Sequence, residues 1–184
     1  MLAAACAAQP ASTTAPGADP ATSGSGSSAP ITPAHLALRL TDAPATFDQV
    51  NVTIASTEIA DADGNWTTLS DQPQSFDLLT LQNDATALLG GNDLASGSYA
   101  QLRLLVSDAS VVSGGVTTPL AIASGAQTGI KLNLDATVED GMTYTLVIDY
   151  NAGQSIKTTG QGYLMTPVIT VKSFSGAAST GSGS

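Results

Sequence analysis

The stretch HLALRL, residues 35–40, sets Leu36, Leu38 and Leu40 on one side of an extended chain and Arg39 on the other. Successive strand side chains point to opposite faces, so this two-residue period marks a strand with one face buried. The beat recurs in VNVTIAS (50–56), where Val50, Val52 and Ile54 oppose Asn51 and Thr53. It returns in QLRLLVSD (101–108), with Leu102, Leu104 and Val106 against Gln101 and Arg103, and in IKLNLDATV (130–138), with Ile130, Leu132 and Leu134 against Lys131 and Asn133. TYTLVIDY (143–150) and YLMTPVITVKSF (163–174) complete the series. Pro167 cannot donate to a ladder, so the last run is expected to be an edge strand or to carry a bulge there. DLLTLQN (77–83) with ATALLG (85–90) reads as a strand and a short helical turn; helix signals are otherwise nearly absent. Seven or more half-buried strands predict an all-β fold, an antiparallel two-layer β-sandwich.

Composition narrows the function classes. Charged residues are 11% of the 184, with 15 acids against 5 bases and a net charge of −10. Such a chain is a poor partner for nucleic acid, where Lys and Arg must displace counterions from phosphate. An anionic lipid surface would repel it in the same way. No run of about 18 apolar residues exists to span a bilayer as a helix. A single cysteine cannot form an internal disulfide, so the core must hold without one.

That cysteine is Cys6, in MLAAAC. Ala4, Ala5 and Cys6 resemble the end of the lipobox of bacterial lipoproteins, in which two small residues precede a cysteine that becomes acylated. Ala3 stands where Leu is usual, and Leu2 lies one place early. A signal peptide also needs a basic segment and an apolar segment ahead of the cut. Residues 1–6 are therefore expected to be the remnant of one, cut short by a late start or by trimming. Several acyl chains on Cys6 would anchor the protein firmly, whereas one binds only marginally.

Residues 7–33 are Ala, Ser, Thr, Pro and Gly with few others, and Asp19 is their only charge. They cannot bury enough apolar surface to offset ordering entropy and read as a disordered tether. About 27 flexible residues have a reach near ~30 Å, which lifts a domain clear of lipid headgroups. Residues 175–184, SGAASTGSGS, read as a disordered tail, leaving residues 34–174 as the folded domain. A domain of about 140 residues buries nearly ~70% of its unfolded surface, which suffices for a core.

Several stretches together resemble the exported bacterial and archaeal family called domain of unknown function 4382. They are LRLTDAPATFDQVNVTI, DGNWTTL, FDLLTLQND with ALLG, LASGSYAQLRLLV, QTGIKLNL and SIKTTGQGYLMTPVITV, in the family's order across residues 36–171. The resemblance implies an exported, often lipid-anchored β-sandwich with no established activity and no catalytic residues to carry over. LASGSY is also similar to the start of a strand in transthyretin-like and carboxypeptidase-regulatory-like modules, which implies an immunoglobulin-like or transthyretin-like topology.

Four features could carry chemistry. DADGN places Asp61, Asp63 and Asn65 like part of a calcium loop, but Gln72 stands where such a loop needs a Glu. A hairpin turn with Asp-Gly at positive φ explains it as well. Asp42 and Asp48 flank Pro44; they either accept backbone N–H groups at a strand end or hold a cation or sugar hydroxyl. Trp66, the sole tryptophan, either stacks on a sugar ring or packs under a sheet edge. Arg39, Arg103, Lys131, Lys172 and Asp149 share the polar phase of strands, as cross-strand ion pairs or as a ligand surface.

Catalysis finds little support. His35, the only histidine, lies at the tether junction, where no fixed geometry is expected, and no second histidine exists for metal ligation. Two glutamates, Glu58 and Glu139, are few for a glycosidase pair, although aspartates could serve. The expectation is a non-catalytic module without cofactor, exported and held at the outer membrane or cell surface, with a structural, adhesive or binding role toward envelope protein or glycan. The alternative is a carbohydrate-binding module using Trp66 with one of Tyr99, Tyr144, Tyr150 or Tyr163, with calcium as a structural ion. Strand exchange between copies is a third reading.

Overall fold

The alternation at residues 35–40 becomes strand β1, Ala34–Thr41, with Ala34, Leu36, Leu38 and Leu40 fully buried. The computed structural model describes residues 32–122, 129–160 and 162–178. Among these are thirteen strands, and the fold is all-β.

In the first sheet β1 lies between β5 (Ala87–Leu94), antiparallel, and β10 (Met142–Tyr150), parallel; β13 (Ile169–Ala178) pairs antiparallel with β10 at the edge. The second sheet is built on two long antiparallel strands, β2 (Gln49–Asp61) and β6 (Gly97–Ser113). β3 (Trp66–Ser70) and β4 (Gln74–Asp77) share the outer side of β2. β7 (Val116–Pro119) and β9 (Ile130–Val138) share the outer side of β6. A small third sheet joins β11 (Ile156–Thr159), β12 (Gly162–Met165) and β8 (Ala121–Ile122).

The inner faces of the two large sheets form one core, in which Leu36, Leu38 and Leu40 meet Val52, Ile54, Leu102, Leu104, Leu146 and Ile148. Each such side chain contributes about 1.5–3 kcal/mol by leaving water. The expected burial phase holds, except that Ile130 and Leu134 are only half-buried. The sandwich is not purely antiparallel: β1–β10 and β8–β12 run parallel.

One side of the sandwich is closed by glycine. A Cβ on Gly90 in β5 would sit 2.7 Å from the Leu69 carbonyl oxygen and 2.8 Å from Ser70 Cβ. The bare backbone lets β5 approach β3, and side chains stitch the seam: Asn92 Nδ2 donates to Thr68 O (2.8 Å) and Gln74 Nε2 to Leu89 O (3.0 Å). Leu38 pairs with Gly90 and Arg39 with Leu88, so Leu89 is an extra residue in a bulge. The bulge buries Leu89 and leaves Leu88 56% exposed.

The last run is an edge strand as expected, in β13, but its bulge is at Lys172; Pro167 lies in the link where the chain leaves β12 and crosses to β13. Two expectations need correction. The folded part does not stop at Phe174, because β13 continues through Ala178. Its small residues are what the site requires: a Cβ on Gly176 would lie 2.5 Å from Tyr144 Cε1, and the Tyr144 ring also stacks on Phe174 (centroids 5.1 Å, planes 3° apart). His35 is not at a loose junction but inside β1, opposite Asp93, with Nδ1 2.9 Å from Asp93 Oδ1. DLLTLQN and ATALLG together do hold a short helical turn and a strand: a 3-10 turn, Leu78–Leu81, capped by Asp77, and the start of β5 at Ala87. Cys6 and residues 7–31 of the tether lie outside the described residues.

Candidate functional site

The turn between β2 and β3 is built around Asp61. Its Oδ1 accepts from the backbone N–H of Asp63 (3.0 Å) and Asn65 (2.8 Å), and its Oδ2 accepts from Asn65 Nδ2 (2.9 Å). Gly64, at φ +87°, supplies the left-handed step. The Asn65 amide, followed by the backbone donors, holds the Asp61 carboxyl below its ordinary value. Asp61, Asp63 and Asn65 thus form a hairpin turn in which Asp61 serves the backbone and Asn65 serves Asp61. Among the described residues no group of three His, Cys, Asp or Glu side chains is arranged to hold a metal ion.

Trp66 leaves that turn onto the outer face of the second sheet, opposite Ala60 of β2. It is half-buried, and Arg103 lies over its ring with Cζ 4.3 Å from the centroid. Arg103 is fixed from two further sides. Its guanidinium bonds Glu58, its cross-strand neighbour, through Nε (2.7 Å) and through an ion pair of the same groups. Its stem fills the space over Gly129, where a Cβ would meet Arg103 Cγ at 2.8 Å. Arg103 also faces Lys131 directly in register.

Next to this stack the strand β6 bends. Ala60 pairs with Gln101 and Asp61 with Tyr99, so Ala100 is an extra residue. The pairing with β9 slips at the same place, from Ala136 opposite Tyr99 to Asn133 opposite Gln101. Such bulges re-aim side chains; Ala100 and Gln101, consecutive in sequence, both lie outside the core while Tyr99 and Leu102 are buried. The result is a groove of about 440 Å³ lined by Trp66, Asp61, Gln101, Asn133, Leu134 and small residues including Ala60 and Ala100.

The other predicted residues lie elsewhere. Asp42 is 95% buried, with a relative exposure of 5%, at the end of β1. Its Oδ1 accepts from Ala152 N (2.9 Å), at the start of a one-turn helix, Ala152–Ser155, and its backbone N–H donates to Leu81 O. Burial pushes its carboxyl up to about 6, with Asp149 and Asp77 adding to the rise and backbone donors opposing it. Its Oδ2, like Asp149 Oδ1, has no hydrogen-bond partner among the described residues. Asp48 ends the loop into β2, and its Oδ2 accepts from Gly115 N at 3.4 Å. The two aspartates therefore serve different elements, and neither lines the groove with Trp66.

No tyrosine joins Trp66 there. Tyr99 is buried and donates to Ala95 O (3.0 Å); Tyr144 stacks on Phe174; Tyr163 meets Phe47 edge-on. Tyr150 is fully buried with its hydroxyl 3.2 Å from Met165 Sδ, and burial raises its pKa. Of the polar-phase charges, Arg103 does form a cross-strand pair, while Arg39 Nε donates to Thr86 Oγ1 and Lys172 pairs with Asp84. Gln101 and Asn133 were on the polar phase of their strands without being singled out; only the register brings them together beside Trp66.

The family described as domain of unknown function 4382 matches residues 33–167, from just before β1 to the link before β13. No curated protein matches the chain. A solved structure, described as a "putative cell adhesion protein" from Bacteroides eggerthii, is similar at 15% identity with a TM-score of 0.36; the match covers 79% of this chain and 55% of that one. The chain thus spans little more than half the length of that protein.

Proposed function

The chain belongs to the domain of unknown function 4382 family, and from that premise we infer that it is a non-catalytic binding module of the cell envelope. It is exported, held at the outer membrane or cell surface by lipid on Cys6, and meets its partner through the outer face of the second sheet. The observation that carries the reading is the groove beside Trp66, which a bulge at Ala100 shapes and whose tryptophan is held by an arginine tied to Glu58. A fixed, partly apolar concavity with a few polar groups is the usual form of a binding site. The ionisable groups point away from bond-making. Asp42 holds a helix start, Glu58 holds Arg103, and His35 pairs with Asp93 on the other sheet. Anchoring is supported by the sequence around Cys6 and by the composition of residues 7–33.

Mass spectrometry of the native N-terminus and detergent phase partitioning test the anchor: an acylated Cys6 and a detergent-phase protein are expected. Sedimentation of the full chain with envelope fragments, beside Trp66→Ala, tests the face. An unmodified, water-phase protein removes the anchor, and equal binding by Trp66→Ala removes the groove from the function.

A further inference from the structure

The groove's chemistry identifies a class of ligand. Trp66, Ala60, Gln101 and Asn133 lie in one line across β3, β2, β6 and β9, each paired in register with the next. With strands about 4.8 Å apart, that line is about 14 Å long. At one end is an indole that lines the groove while Arg103 covers its ring. At the other are two neighbouring primary amides, and no hydrogen bond holds either side chain among the described residues. Each amide offers a carbonyl acceptor and two N–H donors. Asp61 stands at the rim, with three backbone or side-chain donors already on its carboxylate and acceptor capacity left for one more. The floor is alanine, which admits a flat body close to the sheet.

An apolar ring surface followed by paired donors and acceptors complements a pyranose. The ring's C–H edge packs against the part of the indole that lines the groove, and adjacent hydroxyls, each both donor and acceptor, face the amides. Charge argues against an acidic sugar: Glu58 neutralises Arg103, Asp61 is ionised at the rim, and the protein carries −10 overall. The groove offers calcium no ligand set, because among the described residues no three carboxylate, His or Cys side chains are gathered to hold an ion. Resting on the reading of this groove as the binding face, we propose that it takes a neutral, unmodified-diol glycan, with Trp66 as the apolar wall and Gln101 and Asn133 as the hydroxyl-reading residues.

Trp66 is the chain's only tryptophan, so its fluorescence reports the site alone. The full chain is titrated with neutral gluco-, manno-, xylo- and N-acetylglucosamine oligosaccharides in EDTA, and with envelope fragments before and after periodate, which cleaves vicinal diols. A saturable change with at least one oligosaccharide and with untreated fragments is expected, lost after periodate. Gln101→Ala with Asn133→Ala should weaken it at least tenfold while the thermal midpoint stays within 2 °C, roughly the shift of a sub-kcal surface change. Fragments that bind equally after periodate overturn the glycan and leave the groove standing as a site for another ligand. Silence of every oligosaccharide and of both fragment preparations overturns both. Binding that survives the double amide substitution overturns the assigned readers.

Discussion

Arg103 lays its guanidinium 4.3 Å above the Trp66 ring while its Nε donates to Glu58 at 2.7 Å, so one side chain both covers the tryptophan and is tied across the sheet. Arg103→Ala is expected to uncover the ring. A cation over an indole at a partly exposed site contributes about 0.5–1 kcal/mol, and the cross-strand pair adds about as much. Urea unfolding should show a loss of about 1–2 kcal/mol, and acrylamide should quench Trp66 more strongly; unchanged quenching would mean that Arg103 does not shield it.

Gly129 makes room for that arginine at φ +70°. Gly129→Ala is therefore strained in backbone and crowded by Arg103 Cγ, and should cost about 1–2 kcal/mol. The substitution should also shift Trp66 emission. A stability loss without a change in emission would separate the glycine from the tryptophan stack.

Gly90→Ala tests the closed side of the sandwich. Its Cβ would meet backbone atoms of Leu69, which cannot swing aside as a side-chain tip can. A loss of about 1–3 kcal/mol is expected, the usual range for overpacking. Wild-type stability in this variant would show that β5 and β3 are further apart than described.

Asp42 makes stability depend on pH. Its folded-state pKa, about 6, lies above the ordinary 3.8, so the folded protein holds this proton more tightly than the unfolded chain. The resulting stabilisation is fully present below pH 3.8 and is lost as pH rises through about 6. Asp42→Asn keeps an acceptor for Ala152 N and removes the buried charge that faces Asp149, Asp77 and Tyr150. Unfolding free energy at pH 7.5 should rise by about 1–3 kcal/mol, and the gain should shrink toward pH 4. Asp61 and Asp84 titrate the opposite way, since hydrogen bonds from Asn65 and Lys172 lower their values; only the difference between wild type and Asp42→Asn isolates Asp42. A gain that does not change with pH would contradict the raised pKa.

The C-terminal strand offers a boundary test. Truncation after Ala178 should leave the thermal midpoint unchanged. Truncation after Phe174 removes Gly176 from beneath Tyr144 and should cost about 1–2 kcal/mol by uncovering that ring. Equal stability of the two truncations would place the domain's end at Phe174 after all.

The strands were legible because burial imposes a period that survives without knowledge of partners: Leu36, Leu38 and Leu40 point inward wherever their neighbours lie. Register carries no such local mark. The parallel pairing of β1 with β10, the bulge at Ala100 and the slip at Leu89 depend on which strands meet, and so did not show. Gly176 looked like tail because its use is to lie under a ring 32 residues away in sequence, across a strand pair. The same asymmetry governs the site. Asp61 and Trp66 stood out by residue type, whereas Gln101 and Asn133 are ordinary polar-phase residues until β6 and β9 bring them side by side. The four tyrosines looked available to a ligand only because their phase did not reveal that their hydroxyls and rings are used inside the fold.

NMR of the nitrogen-labelled full chain, titrated with envelope fragments, reads at once where the protein meets its ligand. Perturbation should concentrate on the Trp66 indole N–H and the Gln101 and Asn133 side-chain amides, which report separately from the backbone. Leu88 and Val171, exposed on the first sheet, should stay still. Shifts gathered on Leu88 and Val171 with an unmoved indole would put the binding face on the wrong side of the molecule.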